Sequence, residues 1–154
     1  MSDRSRHMRA APGALEAMLG LEKYLKQCGL DEKLMLLVKL RASIINGCTY
    51  CVDMHSRDAR LAGESERRVH AVGAWEDSPV FSEREKAAFA WADALTNIAT
   101  THAPDDVYER VRAQFDDKEL ADLTLLVGAI NTWNRISIGF RTPPPASWPP
   151  LPPG

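Results

Sequence analysis

The chain has 154 residues, 45% of them hydrophobic and 26% charged, which suits one soluble globular domain whose core closes without disulfides or metal. Nineteen Lys and Arg against 21 Asp and Glu leave a net charge of −2, which argues against an electrostatic nucleic-acid binder. The first thirty residues hold no apolar signal core, and no 18-residue apolar run exists, so neither a secretory leader nor a membrane span is expected. The expected compartment is the cytoplasm, where thiols stay reduced, so the three cysteines, Cys28, Cys48 and Cys51, read as free, catalytic or metal-bound and not as a structural disulfide framework.

Residues 1–11 read as a polar, loosely ordered arm. Pro12-Gly13 opens the first periodic segment, in which Ala14, Met18, Leu21, Leu25 and Cys28 form one stripe of a helix that Gly29 ends. Asp31 is placed to cap a second helix, mostly apolar from Leu34 to Leu40, which stops at Asn46-Gly47. A third helix is expected from Cys48 to Leu61, and a short one near residues 65–72. Ser82-Glu83-Arg84-Glu85 is a capping box opening a long helix with Ala87, Trp91, Ala94, Leu95 and Ile98 on one side. Pro104 suits the first turn of the next helix, where Asp105 and Asp106 meet the positive end of the dipole and Val107, Val111 and Phe115 form the stripe. Asp116, with Glu119 three residues on, caps the last helix, whose inner face carries Leu120, Leu123, Val127, Ile130 and Asn134.

No alternating strand is visible. The reading is an all-α, single-domain bundle of about six to seven helices over residues 12–141. Seven of the ten prolines fall between Pro143 and Pro153, so residues 142–154 are expected as an extended tail outside the core. Its Pro149-to-Pro152 spacing reads as a segment packing on its own or a neighbouring protomer, not as an SH3 ligand.

One stretch carries chemistry: Ile45-Asn46-Gly47-Cys48-Thr49-Tyr50-Cys51-Val52-Asp53-Met54-His55. On a helix, Cys48, Cys51 and His55 fall within an arc of roughly 60°. Cys51 and His55 are neighbours one turn apart, close enough for the imidazole to share a thiol proton. Both thiols sit in the first helical turn, where the dipole lowers a thiol pKa from about 8.5. Three readings fit this pattern. One is a dithiol redox centre, without metal or cofactor. The second is a zinc site completed by His70, His102 or Cys28, and the third is two buried thiols beside a satisfied core histidine. A thioredoxin is not expected, because that motif belongs in a βαβ setting.

Elsewhere, Cys28 reads as core filler and His70 and His102 as surface histidines. Asp53 and Arg57 read as a solvated ion pair, and Trp133, Asn134 and Arg135 as support for the thiol helix or a protomer contact. No phosphate loop or nucleophile elbow is present.

The run Leu37-Val38-Lys39-Leu40-Arg41-Ala42-Ser43, the segment Ile45 to His55, and Ile130-Asn131-Thr132-Trp133-Asn134-Arg135 together resemble the alkylhydroperoxidase D-like branch of the carboxymuconolactone decarboxylase family. The resemblance implies an all-helical fold, assembly as homo-trimers or hexamers, and thiol peroxidase activity. It implies that Cys51 attacks the peroxide and becomes a sulfenic acid, that Cys48 closes the disulfide, and that His55 serves the proton relay. A partner dithiol system would reduce the disulfide. The alternatives are a general dithiol–disulfide oxidoreductase and a non-enzymatic redox-sensing assembly. Two positions depart from the family pattern. Leu36 stands where a relay Glu is expected, with Glu32 one turn earlier as the nearest stand-in, and Tyr50 stands where a His precedes the second cysteine. A missing general base costs about 10²–10⁴-fold, so weakened peroxidase activity is expected.

Overall fold

Every segment with an apolar helical period folds as a helix in this computed structural model, which describes Arg4 and residues 6–149. Among the described residues there are nine α-helices and no strand. They are α1 (Arg6–Ala10), α2 (Pro12–Leu25), α3 (Glu32–Asn46), α4 (Thr49–Leu61) and α5 (Glu66–Ala71), which runs into a 3-10 turn at Val72–Ala74. Then follow α6 (Glu83–Thr96), α7 (Ile98–Thr101), α8 (Asp105–Arg112) and α9 (Asp117–Gly139). The fold is all-α as expected; the surplus over six or seven lies in the short α1 and α7. None of these helices is long and apolar enough to cross a membrane.

Side-chain caps set the helix starts. Asp31 accepts from the Leu34 amide at 2.9 Å, and Ser82 and Asp116 each form a full capping box, with Glu85 and Glu119 respectively. The long helix expected to carry Ile98 breaks at Asn97, whose side chain donates to the Asp93 carbonyl at 3.0 Å. Ile98 therefore sits on α7 and is 51% exposed, not on the apolar face of α6. The stripe expected on the first helix is only half used. Leu25 is fully buried, Ala14 is exposed, and Cys28 lies half-buried in the turn after α2.

α3 runs through the centre, against α4, α6 and α9. Its Leu37, Val38 and Leu40 meet Phe89 and the small Ala88 and Ala92 of α6, and Leu123 and Val127 of α9, in one core. The fork of Arg41 grips Asp93 of α6 through two bonds of 2.6 and 2.8 Å, and the Trp75 indole donates to the same carboxylate at 3.2 Å. In the last turn of α3, a chain of amides replaces apolar packing. Asn46 Nδ2 donates to Asn131 Oδ1 at 3.0 Å and to Asn134 Oδ1 at 2.8 Å, and Asn134 Nδ2 donates to Ser43 Oγ at 3.1 Å. Asn134 is fully buried, so these bonds have no water to fall back on.

The described residues before α2 and after α9 lie against this bundle. The segment expected as an arm contains α1, whose His7 stacks on Phe140 with ring centroids 5.2 Å apart. Residues 142–149 have no regular structure and return to α4. There the Trp148 indole donates to Asp53 at 2.6 Å, and Arg57 donates to the Pro149 carbonyl at 3.2 Å with its guanidinium 5.6 Å from the indole centroid. The expected Asp53–Arg57 pair is thus replaced. The tail takes Asp53, and Arg57 pairs with Asp58 at 3.3 Å. Pro152 lies outside the described residues.

Asn134→Leu removes the two bonds that join Asn46 and Ser43 to α9 at Asn134, leaving Asn46 only Asn131 and Ser43 only the Lys39 carbonyl. A loss of about 1–3 kcal/mol is expected. Urea unfolding measures it, and an unchanged midpoint would contradict the role given to this network.

Candidate active site

The joint between α3 and α4 is built on two adjacent residues. Gly47 takes the left-handed conformation (φ 66°, ψ 31°), where a side chain is disfavoured. Its amide bonds Ile44 O at 3.1 Å and the Cys48 amide bonds Ser43 O at 3.0 Å, the paired closure that ends a helix sharply. Cys48 then begins the next helix, with its carbonyl accepting from Val52 at 2.8 Å and its Sγ accepting from the Cys51 amide at 3.4 Å. It is the N-cap of α4, so the helix begins at Thr49, one residue later than expected. Cys48 and Cys51 stand as a disulfide with Cα atoms 5.3 Å apart, and both are 1% exposed. Opened, the pair would leave its sulfurs at the positive end of α4, where a thiolate is stabilised.

His55 follows one turn after Cys51 and is 6% exposed, with Nδ1 lacking a hydrogen-bond partner. Burial lowers its pKa from 6.5 to about 3, and the charge of Lys39 adds to the effect. The imidazole is therefore neutral through the physiological range.

Cys51 and His55 border a cavity of about 380 Å³. Leu19, Leu36, Met54 and Trp133 make its apolar wall, and Glu22, Lys26, Lys39 and Asp58 its charged one. Position 36 thus does face the thiol site, and it presents a leucine. Glu32, the stand-in suggested by the sequence, is exposed and does not line the cavity. Two carboxylates do line it, Asp58 of α4 and Glu22 of α2, and Glu22 is the one tied to Lys39 and Trp133. One Glu22 oxygen accepts from Lys39 Nζ at 2.6 Å and the other from the Trp133 indole at 3.0 Å. A second cavity, of about 300 Å³, lies on the far side of Tyr50 and Ser137 and is bordered by Cys48, Ile138 and Pro144.

The remaining candidates stay apart from the dithiol. The His70 side chain is 78% exposed beside Glu66, and His102 is exposed in a left-handed turn. Among the described residues, no group of three or more His, Cys, Asp or Glu side chains is arranged to hold a metal ion. Sequence reasoning overlooked Glu22 and Lys39. Lys39 alone interrupts the apolar run Leu34–Leu40, which is the signal the sequence offers, whereas Glu22 lies beside Lys23 in a mixed stretch and carries none.

The sequence profile of the carboxymuconolactone decarboxylase family matches residues 12–94. The uncharacterized protein YdfG of Bacillus subtilis (strain 168) is 41% identical over 91% of this chain and 95% of its own length. A crystal structure of a protein of unknown function from Agrobacterium tumefaciens, suggested to be an antioxidant defence protein AhpD, is 46% identical. It superposes with a TM-score of 0.91 over 95% of this chain and all of that one. The debrominase Bmp8, 20% identical, shares the fold with a TM-score of 0.81 over 90% of this chain and 75% of its own.

The depressed pKa of His55 has a stability consequence. As pH falls below 6.5 the unfolded chain takes up a proton that the native imidazole refuses until about pH 3. The stability it contributes is complete above 6.5 and is lost on acidification, at up to about 1.4 kcal/mol per pH unit within that window. Urea unfolding between pH 7 and about 5 should show wild type losing stability faster than His55→Gln, with the carboxylates common to both proteins. Parallel pH profiles would contradict it.

Proposed function

The chain belongs to the carboxymuconolactone decarboxylase family, in its alkylhydroperoxidase D-like branch, and from that premise we propose that it is a thiol-dependent peroxidase working through Cys51 and Cys48. The observation that carries the reading is the bridgeable pair at the start of α4, with Cys51 bordering a cavity that is apolar on one side and charged on the other.

The Cys51 thiolate attacks one peroxide oxygen. The O–O bond breaks, the alcohol or water leaves, and Cys51 becomes a sulfenic acid. The Cys48 thiolate then attacks the Cys51 sulfur and expels hydroxide, which leaves as water, and a disulfide remains. An external dithiol returns the pair to the reduced state. His55, the relay residue of the family pattern, is buried and neutral here and serves as a hydrogen-bonding neighbour of the thiol. Catalysis resides in the helical unit of residues 12–141, in the cytoplasm, where a dithiol reductant is sustained. Assembly as a trimer or hexamer is supported by the exposed Leu15, Leu19 and Tyr24 of α2 and Leu125 and Ile138 of α9.

A second reading, a dithiol–disulfide oxidoreductase without peroxide preference, draws support from Leu36, which withholds the carboxylate of the family relay. Peroxide consumption with a supplied dithiol, set against exchange with a model disulfide, separates the two.

Under mild peroxide, Cys48→Ser should accumulate a sulfenic acid on Cys51, captured by dimedone and located by mass spectrometry. An adduct found on Cys48 in Cys51→Ser, and none on Cys51 in Cys48→Ser, would reverse the roles.

A further inference from the structure

Resting on the peroxidase reading, we infer that Lys39, held by Glu22, is the proton donor to the departing oxygen when Cys51 reduces a peroxide. The inference starts from what position 36 lacks. Leu36 and Lys39 are one helical turn apart on α3 and face the same cavity as Cys51 and His55. The chain therefore has no acid where the family has one, but it has an ammonium one turn further along. Lys39 is not a solvated surface charge: its side chain is 13% exposed and that of Glu22 18%. Glu22 is itself fixed by two bonds, to Lys39 at 2.6 Å and to the Trp133 indole at 3.0 Å, so α2, α3 and α9 all hold the pair in place.

The groups facing Lys39 narrow the assignment. Glu22 comes from α2 and Lys26 from its C-cap, and Tyr50, Cys51, His55 and Asp58 come from α4, while α9 contributes only neutral side chains. His55 is a poor source of a proton, because burial and the Lys39 charge keep it neutral. Asp58 is already paired with Arg57 at 3.3 Å.

The step balances as follows. The Cys51 thiolate supplies an electron pair to the nearer peroxide oxygen, an S–O bond forms and the O–O bond breaks. The leaving alkoxide takes a proton from the Lys39 ammonium, and the resulting amine is reprotonated from solvent. Cys51 is oxidised to the sulfenic acid and the peroxide reduced to the alcohol. The same positive charge favours the Cys51 thiolate before the attack.

The test compares wild type, Lys39→Met, Lys39→Arg and Glu22→Gln, all in the reduced full-length chain, with circular dichroism confirming the fold. Two oxidants are used, an alkyl hydroperoxide whose leaving alkoxide needs a proton and a peracid whose leaving carboxylate does not. Lys39→Met should slow the hydroperoxide reaction by about 10²-fold and the peracid reaction by much less, so the ratio of the two rates falls. Lys39→Arg, charged but a far weaker acid, should depress the same ratio, and Glu22→Gln should do so to a smaller extent. The pH profile of Cys51 alkylation, a readout independent of turnover, should move to higher pH in Lys39→Met and not in Lys39→Arg. If Lys39→Met slows both oxidants equally, or neither, the donor role is overturned while the peroxidase reading stands. If wild type reacts with no peroxide, the peroxidase reading falls and takes this inference with it.

Discussion

Cys48 belongs to two helices at once, and the rest of the site depends on that. Its amide closes α3 through Ser43 O, and its carbonyl and sulfur open α4 through Val52 and Cys51. Only the left-handed Gly47 permits such a short reversal. A longer connection would let α4 start elsewhere, and the two sulfurs would lose either their spacing or their place at the positive end of the helix. Because the reversal is tight, α4 lies directly against α3. Cys51 and His55 are thereby set opposite Leu36 and Lys39. Asn46, immediately before the glycine, is gripped by Asn131 and Asn134 of α9, so the joint is tied to the longest helix of the fold.

The electrostatics follow from burial. For His55, desolvation is the leading effect and the Lys39 charge an added one, and both favour the neutral ring. The Lys39–Glu22 pair is the opposite case: two charges largely withdrawn from water but mutually satisfied, with the Trp133 indole on the second carboxylate oxygen. Breaking such a pair from one side costs more than the pair contributes, because the remaining charge is left buried and alone. The cavity thus sets two carboxylates, Glu22 and Asp58, and two ammonium groups, Lys26 and Lys39, beside a neutral histidine.

Features encoded locally were legible in the chain. Asp31, Ser82 and Asp116 mark helix starts because a short acceptor side chain meets free amides within three residues, and Gly47 marks a stop because of its own backbone freedom. The Cys48, Cys51 and His55 face follows from helical spacing alone. Features that need two distant segments were not legible. Periodicity says which face of α2 is buried but not that Glu22 meets Lys39, 17 residues on, or Trp133, 111 residues on. Glu32 is near position 36 along one helix, but it is exposed and does not border the cavity. Asp53 and Arg57 have the spacing of an ion pair, yet Trp148, 95 residues away from Asp53, displaces that arrangement. Ile98 fits the stripe of α6, but the stripe cannot report that Asn97 satisfies the Asp93 carbonyl and ends the helix.

The central claim is that the pair at the start of α4 is the redox centre and that Cys28 stands apart from it. Thiol titration of the fully reduced wild-type chain, before and after one equivalent of an alkyl hydroperoxide, tests it most directly, with peptide mass spectrometry locating any bond formed. The account predicts the loss of two of the three thiols, a Cys48–Cys51 disulfide and a free Cys28. Three thiols surviving the peroxide, or a disulfide that includes Cys28, would contradict it.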